Sequence, residues 1–309
     1  MATEVILHHY DGSPYSEKIR LLLGYEQLSW RSVIMPAVLP KTDLFTLTHG
    51  YRRAPVMQIG ADIYCDSALI ADEIERRYPN KPISNSNGVA RLLGHWVDVE
   101  FFWLTVRYVM GKIAQQIPQA LLNDRIAMHE QFNFDRQKLV DDLPQLASQI
   151  RPLLTGLDMA LDEHSYIGGD TPSIADFSLY HPLWFLNSVD VLTEFTCQGS
   201  NLHDWFVQMG AFGHGSSRMM TSAEAIKIAA ANQPAVIDRY RSELGIVVGA
   251  WVSVTPQGYP KEVVCGRLVN FSESRITIAQ ESPETGLVHI HLPRLTYTVQ
   301  TLDSRVKFV

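Results

Sequence analysis

The short segment Ser13-Pro14-Tyr15-Ser16 places hydroxyl groups between a strand-like run and the start of a helical pattern. The N-terminus of a helix directs free backbone N–H groups and a positive dipole outward. A hydroxyl at this point can hydrogen-bond a thiolate and lower the pKa of the thiol below about 8.5. We therefore interpret Ser13 as a candidate for sulfur chemistry, and we expect Ser16 to cap the helix.

The segment Arg53-Ala54-Pro55-Val56 leads from a loop into a strand. A proline that opens a strand after a loop is a candidate for a cis peptide bond. Such a bond leaves the backbone N–H and C=O of the preceding residue exposed at a strand edge, where they can pair with a peptide-like ligand. The alternative is an ordinary loop-to-strand proline.

The pair Asp66-Ser67 opens a second helical pattern. A ligand carboxylate can bind at a helix N-terminus and accept hydrogen bonds from the Ser67 hydroxyl and N–H. The alternative is an ordinary helix cap, which is a common use of Asp and Ser.

The elements around these segments predict how they are positioned. Over residues 1–78 the pattern predicts strand, helix, strand, an irregular stretch at 36–52, two hairpinned strands and a helix. The first two strands flank a helix in a β-α-β unit, so they should be parallel.

Beyond residue 80 the pattern of apolar, polar and turn-forming residues changes twice. Residues 80–88 are polar and rich in turn residues, which is typical of a linker. From residue 245 onward, alternating apolar and polar residues predict four or five short antiparallel strands in a small barrel or curled sheet. Helical spacing of apolar residues covers the region between, at 89–117, 136–162, 173–190, 201–212 and 221–231.

Composition narrows the class of protein. The chain has 309 residues with 46% hydrophobic and 19% charged residues, which suits two or three folded domains. Its net charge of −7 argues against a nucleic-acid binder. No apolar run is long enough to span a membrane and no signal peptide is evident. Three cysteines without a CxxC motif suit a reducing compartment, so we expect a cytoplasmic protein.

In this order and spacing, the three segments resemble the thioredoxin-like domain of the glutathione S-transferases. The second part of the chain supports the resemblance, because Ser173 and Asp176 look like the capping box of that family. The resemblance covers residues 4–235.

The expected fold class is therefore α+β, with three parts. An N-terminal thioredoxin-like α/β domain covers residues 1–80, an all-α helical domain covers 88–240, and a small all-β module covers 245–309. The family's chains usually end near residue 230, so the resemblance implies no role for the module.

The resemblance also implies roles for individual residues. The family's serine or cysteine position falls on Ser13, whose hydroxyl would donate to the thiolate of glutathione, the co-substrate. The remaining assignments concern glutathione binding: Ala54 with Pro55 would pair with the cysteinyl backbone, Asp66 and Ser67 would hold the γ-glutamyl end, and Arg53 would lie near the glycyl carboxylate.

The family's electrophile pocket lies between the first loop and the first and last long helices of the second domain. An aromatic stripe, with Phe101, Phe102 and Trp103, crowds the first of these helices, and most of it must be core. The candidates for the electrophile pocket are Tyr15, Arg107 and Tyr108.

The function implied is a glutathione transferase that adds the thiolate to a small apolar electrophile. Two alternatives stay open: a glutathione-dependent isomerase, lyase or peroxidase, and a non-catalytic scaffold of the same fold. Family members usually dimerise, so we expect a homodimer that binds neither nucleic acid nor membrane.

In the C-terminal module, His289 and His291 share one face of an expected strand and could hold a metal ion. No third ligand is evident from the sequence, so we expect a packed or solvated face and no metal. Trp251 and Tyr297 are interpreted as the small core of the module.

Overall fold

A computed structural model describes most of the chain. The described residues are 4–79, 81–83, 88–129, 135–237, 244–259 and 261–302. Much of the expected linker at 80–88, and most of the expected boundary between 240 and 245, lie outside these residues.

The N-terminal domain follows the expected order of elements. Strand β1 pairs in parallel with β2 and antiparallel with β3, which forms a hairpin with β4. One expectation was wrong, because the stretch at 36–52 contains a short helix, α2. The elements are β1 (Val5–His9), α1 (Pro14–Tyr25), β2 (Ser29–Ile34), α2 (Thr42–Thr48), β3 (Val56–Ile59), β4 (Asp62–Cys65) and α3 (Ser67–Arg77).

Helix α1 forms where the sequence indicates. Pro14 occupies its first turn, where the missing N–H would have no helical partner and the fixed φ already suits a helix. The expected apolar face is buried, with Ile19, Leu22 and Leu23 inside the main core. Burial of this face against the sheet and against a helix of the second domain, α9 (Ile174–Asn187), fixes the direction in which the N-terminus of α1 points.

The second domain is helical, as expected. Its core is continuous with the face of the N-terminal sheet covered by α1 and α3. The Ser173/Asp176 capping box is confirmed, and Asp176 also accepts a hydrogen bond from the Trp205 indole. The elements are α4 (Gly88–Trp96), a π-helical turn (Val97–Phe101), α5 (Phe102–Lys112), α6 (Gln119–Met128), α7 (Arg136–Asp141), α8 (Leu143–Ala160), α9 (Ile174–Asn187), a 3₁₀ turn (Leu192–Glu194) and α10 (Asn201–Gly210).

The chain then returns to the N-terminal domain. Strand β5 (Ser216–Met219), which the sequence analysis did not predict, pairs in parallel with β2. Helix α11 (Ser222–Ala230) lies within the helix expected at 221–231, and it packs on α2, β2 and the C-terminal module.

The C-terminal module has five strands, in agreement with the alternation of its residues. They continue the N-terminal sheet, because β9 pairs in parallel with β4, and they share a core with Val56 and Ile63. The described strands thus form one ten-stranded sheet in the order β10-β6-β7-β8-β9-β4-β3-β1-β2-β5. The module's strands are β6 (Trp251–Pro256), β7 (Val264–Phe271), β8 (Arg275–Ser282), β9 (Gly286–Pro293) and β10 (Tyr297–Thr301).

Within the described part of the chain, every helix is too short or too polar to cross a lipid bilayer.

Candidate functional site

Strand register brings the three predicted segments to one edge of the sheet. Val56 opens β3 and pairs with His8, near the end of β1, and with Cys65, the last residue of β4. The loop after β1, the start of β3 and the start of α3 are therefore neighbours. Two helix N-termini, those of α1 and α3, lie on either side of the Pro55 segment, which is an arrangement suited to an anionic, peptide-like ligand.

Ser13, and not Ser16, is the N-cap of α1. The Ser13 hydroxyl accepts a hydrogen bond from the Ser16 N–H at 3.2 Å, while the buried Ser16 hydroxyl has no partner among the described residues. The expected cap at Ser16 was wrong because Pro14 takes the first helical position, so the capping position falls one residue earlier. Ser13 is only 2% exposed, and its hydroxyl proton can still donate.

The other two predicted segments also have the expected local geometry. The Ala54–Pro55 peptide bond is cis, and Ala54 is partly exposed. Asp66 caps α3 by accepting a hydrogen bond from the Ala68 N–H at 3.0 Å. Its φ of 81° is in the left-handed region that non-glycine residues rarely adopt, and such conformations are concentrated at ligand-binding sites.

The C-terminal module contributes side chains to this edge of the sheet. We define the Arg53 cluster as Arg53, Tyr51, Tyr259, Glu262 and Tyr297. The Arg53 guanidinium lies 4.9, 4.5 and 5.7 Å from the ring centres of the three tyrosines, in chain order. Its Nε donates to Glu262 at 3.1 Å and its Nη2 donates to Tyr297 at 2.5 Å. The cation is thus held by aromatic faces and by one buried carboxylate.

The Tyr297 hydroxyl links this cluster to Asp66, to which it donates at 3.1 Å. Burial raises the pKa of Tyr297 well above 10, so the hydroxyl stays protonated and remains a donor. Burial alone would lower the pKa of Arg53, but Glu262 and the tyrosines raise it, so Arg53 stays charged. Two of the residues assigned to glutathione binding are therefore already hydrogen-bonded to the module.

Tyr297 has a larger role than the core position expected from the sequence. It is 3% exposed and packs in the core of the module, yet its hydroxyl reaches two residues of the N-terminal domain. Alternation along β10 could locate the buried ring but not its partners, because Arg53 and Asp66 are more than 200 residues away in the chain.

On the side of the helical domain, Tyr15 lies in the interface between domains. Its hydroxyl donates to the backbone carbonyl of Asp98 at 2.5 Å, and its ring centre is 4.4 Å from Phe102 and 4.7 Å from His181. Burial raises the pKa of Tyr15 well above 10, so this hydroxyl is unsuited to proton transfer near neutral pH.

Tyr15 contacts a second group of charges, the Asp98 cluster, which consists of Lys18, Asp98 and His181. Asp98 belongs to the π-helical turn, and its two carboxylate oxygens lie 2.6 Å from the Lys18 Nζ and 3.0 Å from the His181 Nε2. Burial alone would raise the pKa of Asp98, but Lys18 and His181 lower it to about 2. The cluster joins α1 to the helical domain.

Arg107 and Tyr108 do not face the N-terminal domain, contrary to expectation. Arg107 pairs with Asp142 at 2.7 Å, and the Tyr108 hydroxyl donates to Glu194 at 2.6 Å. Both contacts lie within the helical domain. The reason is the phase of α5, because Tyr15 packs on Phe102, and residues five and six positions further along the helix point elsewhere.

The aromatic residues of α5 that lie on the Tyr15 side are Phe102 and Trp103. The Trp103 ring is 5.5 Å from His129, at the end of α6, and His129 is 4.7 Å from Tyr259 of the module. The module thus contacts both the N-terminal domain and the helical domain beside the candidate site.

A basic group lies where α6 meets the N-terminal domain. The Asp124 carboxylate pairs with both Arg52 and Arg125, and the Lys41 Nζ donates to the Arg52 carbonyl at 2.8 Å. Burial and, to a smaller extent, the charges of Arg125 and Arg52 lower the pKa of Lys41 to about 8. Three cations around one carboxylate leave an excess of positive charge, which favours an anionic ligand.

Comparisons with known proteins agree with this architecture. The family models of the glutathione S-transferase N-terminal and C-terminal domains match residues 7–82 and 131–207. The crystal structure of a GST-like protein from Pseudomonas syringae is 32% identical with a TM-score of 0.81, and the match covers 97% of this chain and all of that one. That protein therefore shares the C-terminal module. No curated protein matches this chain.

Two further solved structures share the fold at lower identity. A glutathione S-transferase from Rhodospirillum rubrum F11 is 17% identical, with a TM-score of 0.54, covering 67% of this chain and 88% of that one. A theta class glutathione S-transferase from Xanthomonas axonopodis pv. citri with glutathione bound is 16% identical, with a TM-score of 0.51, covering 69% and 97%. Both matches leave about a third of this chain uncovered.

Proposed function

Since this chain belongs to the glutathione S-transferase superfamily, we propose that it is a glutathione transferase. It binds glutathione at the sheet edge formed by the starts of α1, β3 and α3, and it conjugates the thiolate to a small apolar electrophile. The observation that carries this proposal is the register that brings His8, Val56 and Cys65 side by side, because it gathers Ser13, the Pro55 segment and the Asp66-Ser67 pair.

The binding of glutathione in this proposal rests on the N-terminus of α3 and on the backbone before Pro55. Ser67 is the first residue of α3, and its side chain makes no hydrogen bond to the residues that the structure describes. Its hydroxyl and the first N–H groups of α3 suit the γ-glutamyl carboxylate. The Asp66 carboxylate suits the neighbouring ammonium group, and the backbone of Ala54 suits the cysteinyl amide.

Arg53 would serve the glycyl carboxylate by its charge. Glu262 and Tyr297 use two of its N–H donors, which does not exhaust the five that a guanidinium carries. Because Glu262 already offsets part of its charge, we expect Arg53 to contribute less than Ser67 to glutathione affinity.

The chemical half of the proposal rests on Ser13. Its oxygen accepts from the Ser16 N–H, which leaves its proton to donate to a thiolate above the N-terminus of α1. That donation and the helix dipole favour the thiolate over the thiol. The sulfur then forms a bond to an electrophilic carbon, with loss of a leaving group or gain of a proton by the product.

The test compares Ser13→Ala with Ser13→Thr and Ser16→Ala in conjugation of glutathione to chlorodinitrobenzene. We expect Ser13→Ala to lower kcat/KM about tenfold to hundredfold, the loss of one charge-assisted hydrogen bond. It should leave the glutathione Kd within threefold and shift the pH midpoint of activity upward. Ser13→Thr keeps the hydroxyl and should retain most activity.

Two controls separate chemistry from folding. Ser13→Ala also removes a helix cap, which should cost about 1 kcal/mol of unfolding free energy, so activity is measured well below the Tm. Ser16→Ala removes a hydroxyl without a described partner and should leave activity unchanged. Full activity of Ser13→Ala would contradict the role proposed for Ser13.

A binding scaffold without turnover is the second candidate, favoured by the hydrogen bond from Tyr297 to Asp66 and the 2% exposure of Ser13. If these contacts keep glutathione out, glutathione will not raise the Tm. A concentration-dependent rise, expected for a ligand that binds only the folded state, supports the transferase instead.

A further inference from the structure

The seam between the N-terminal domain and the C-terminal module contains a set of metal-ligand side chains. His289 and His291 lie two residues apart on β9, so they point to the same face of the strand. The parallel pairing of β4 with β9 sets Asp62 beside His289. We propose that Asp62, His289 and His291 form a binding site for Zn²⁺. This site is independent of the proposed glutathione chemistry.

The distances suit a single ion. The Asp62 Oδ1 lies 2.8 Å from the His291 Nε2 and 3.9 Å from the His289 Nδ1, and the three ligand atoms lie within 4.8 Å of one another. Ligand atoms around a tetrahedral zinc with bonds of about 2.0–2.2 Å are about 3.3 Å apart. The first two distances differ from this value by about 0.6 Å or less, and the 4.8 Å limit leaves at most about 1.5 Å for the remaining pair, so small side-chain shifts would admit the ion.

Neighbouring groups hold two of the ligands in position. The Nδ1 of His291 lies 3.0 Å from the Thr277 hydroxyl, and its ring stacks on Tyr64 at 4.5 Å and 11°. The second oxygen of Asp62 accepts from the Ala235 N–H at 2.9 Å. Partners of this kind orient the ligands of a metal site, and here they leave the His291 Nε2 and the Asp62 Oδ1 facing each other at 2.8 Å.

His289 supplies the independent sign of a missing partner. Its Nδ1 is buried and has no hydrogen-bond partner among the described residues. A buried polar atom without a partner is unfavourable, and few occur in folded proteins. Within the same described ranges, no lysine or arginine pairs with Asp62. An ion here would satisfy the nitrogen and neutralise the carboxylate.

Two histidines and one carboxylate leave a fourth position for water, a donor set that zinc commonly takes. The sequence analysis found the two histidines but no third ligand. Asp62 could not be predicted as the third ligand, because it lies 227 positions before His289 in the sequence and is brought beside it only by strand pairing. Bound zinc would fasten β9 to β4, so the ion would stabilise the attachment of the module.

The test uses the full chain, stripped with a chelator and titrated with ZnSO₄ by calorimetry. We expect one equivalent to bind and the Tm to rise with zinc concentration. The key variant is His289→Ala, because the His289 side chain makes no hydrogen bond to the described residues and the variant keeps its backbone N–H, whereas Asp62 and His291 bond to each other through their side chains. It should keep the circular dichroism and Tm of the zinc-free protein while zinc affinity falls at least about hundredfold.

His164→Ala is the matched control, since His164 is exposed and lies in the helical domain. It should bind zinc as tightly as the unmodified chain. Cobalt provides a second reading, because Co²⁺ in a tetrahedral site absorbs strongly in the visible range and His289→Ala should lose that absorption. Absence of zinc binding to the unmodified chain, or equal affinity in His289→Ala, would overturn the proposal.

Discussion

Two groups of buried charge border the N-terminal domain, and they differ in what they hold together. The Asp98 cluster joins α1 to the helical domain through Lys18 and His181. The Arg53 cluster joins the β3 and α3 starts to the C-terminal module through Glu262 and Tyr297. Both answer the same physical need, because a buried charge is unfavourable unless it is paired and hydrogen-bonded.

The difference lies in what else each cluster contacts. Lys18 and His181 are nearly inaccessible, with 1% and 0% of their side chains exposed, and both bond to the same carboxylate. The Arg53 cluster includes a hydroxyl bonded to Asp66, a residue assigned to ligand binding. We infer that the first cluster fixes the interface between α1 and the helical domain, whereas the second couples the module to the candidate glutathione site.

The largest effect should come from breaking the Asp98 cluster. Asp98→Ala leaves the Lys18 charge and the His181 ring buried without their partner, and we expect a loss of about 3–5 kcal/mol of unfolding free energy. Urea denaturation measures it. Asp142→Ala is the control, because Asp142 pairs with Arg107 and Lys138 near the surface, where about 1 kcal/mol or less is expected. Equal losses would erase the distinction between enclosed and surface pairs.

The decrease in unfolding free energy at acid pH provides a second test of the Asp98 cluster. The pKa of Asp98 is lowered from 3.8 to about 2 in the folded protein, so its contribution is fully present above pH 3.8 and disappears as the pH falls to about 2. The shift corresponds to about 2 kcal/mol. The stability gap between the unmodified chain and Asp98→Asn should narrow by that amount between pH 5 and pH 2.

Titrations of groups outside the Asp98 cluster do not disturb this difference measurement. Burial lowers the pKa values of His8 and His9 from 6.5 to about 4, so both proteins lose stability between pH 6.5 and pH 4 for this reason. Arginine contacts outweigh burial to lower the pKa of Glu73 to about 2, and that effect is also common to both. A gap that stays constant down to pH 2 would contradict the pairing assigned to Asp98.

The smallest effect is expected at the Arg53 cluster. Tyr297→Phe removes the hydroxyl between Arg53 and Asp66 and should lower the unfolding free energy by about 1–2 kcal/mol. If this cluster positions the binding residues, the glutathione Kd should also rise about threefold to tenfold. Tyr108→Phe, which removes a hydroxyl bonded to Glu194, should cost similar stability with no change in Kd. Equal Kd values for both variants would separate the module from ligand binding.

Much of the candidate site could be predicted from the sequence because its signals are local. The cis Ala54–Pro55 bond, the Asp66 cap and the parallel β1–β2 pair depend on turn chemistry and periodicity within short windows. The N-cap of α1 was expected at Ser16 but lies at Ser13, because Pro14 occupies the first helical position. The type of a single residue can therefore move the predicted start of a helix by several positions.

The errors in the helical domain have a different cause. The composition of α5 locates a crowded, mostly buried helix, but the rotation of that helix decides which residues face the N-terminal domain. Packing of Phe102 against Tyr15 sets this rotation, and it turns Arg107 toward Asp142 instead. Strand β5 was missed for a similar reason, because its four residues are exposed and become a strand only by pairing with β2.

The sequence by itself determined the elements, their order and the three segments that meet at the sheet edge, since hydrogen bonds and caps among neighbouring residues specify them. Only the tertiary structure decided what completes each site. Pairing of β9 with β4 brings Asp62 to His289 and His291, and the fold of the module brings Tyr297 to Arg53 and Asp66. These contacts join positions more than 200 residues apart, so the local propensities of the residues cannot specify them. They result from burial of the core that the N-terminal domain and the module share.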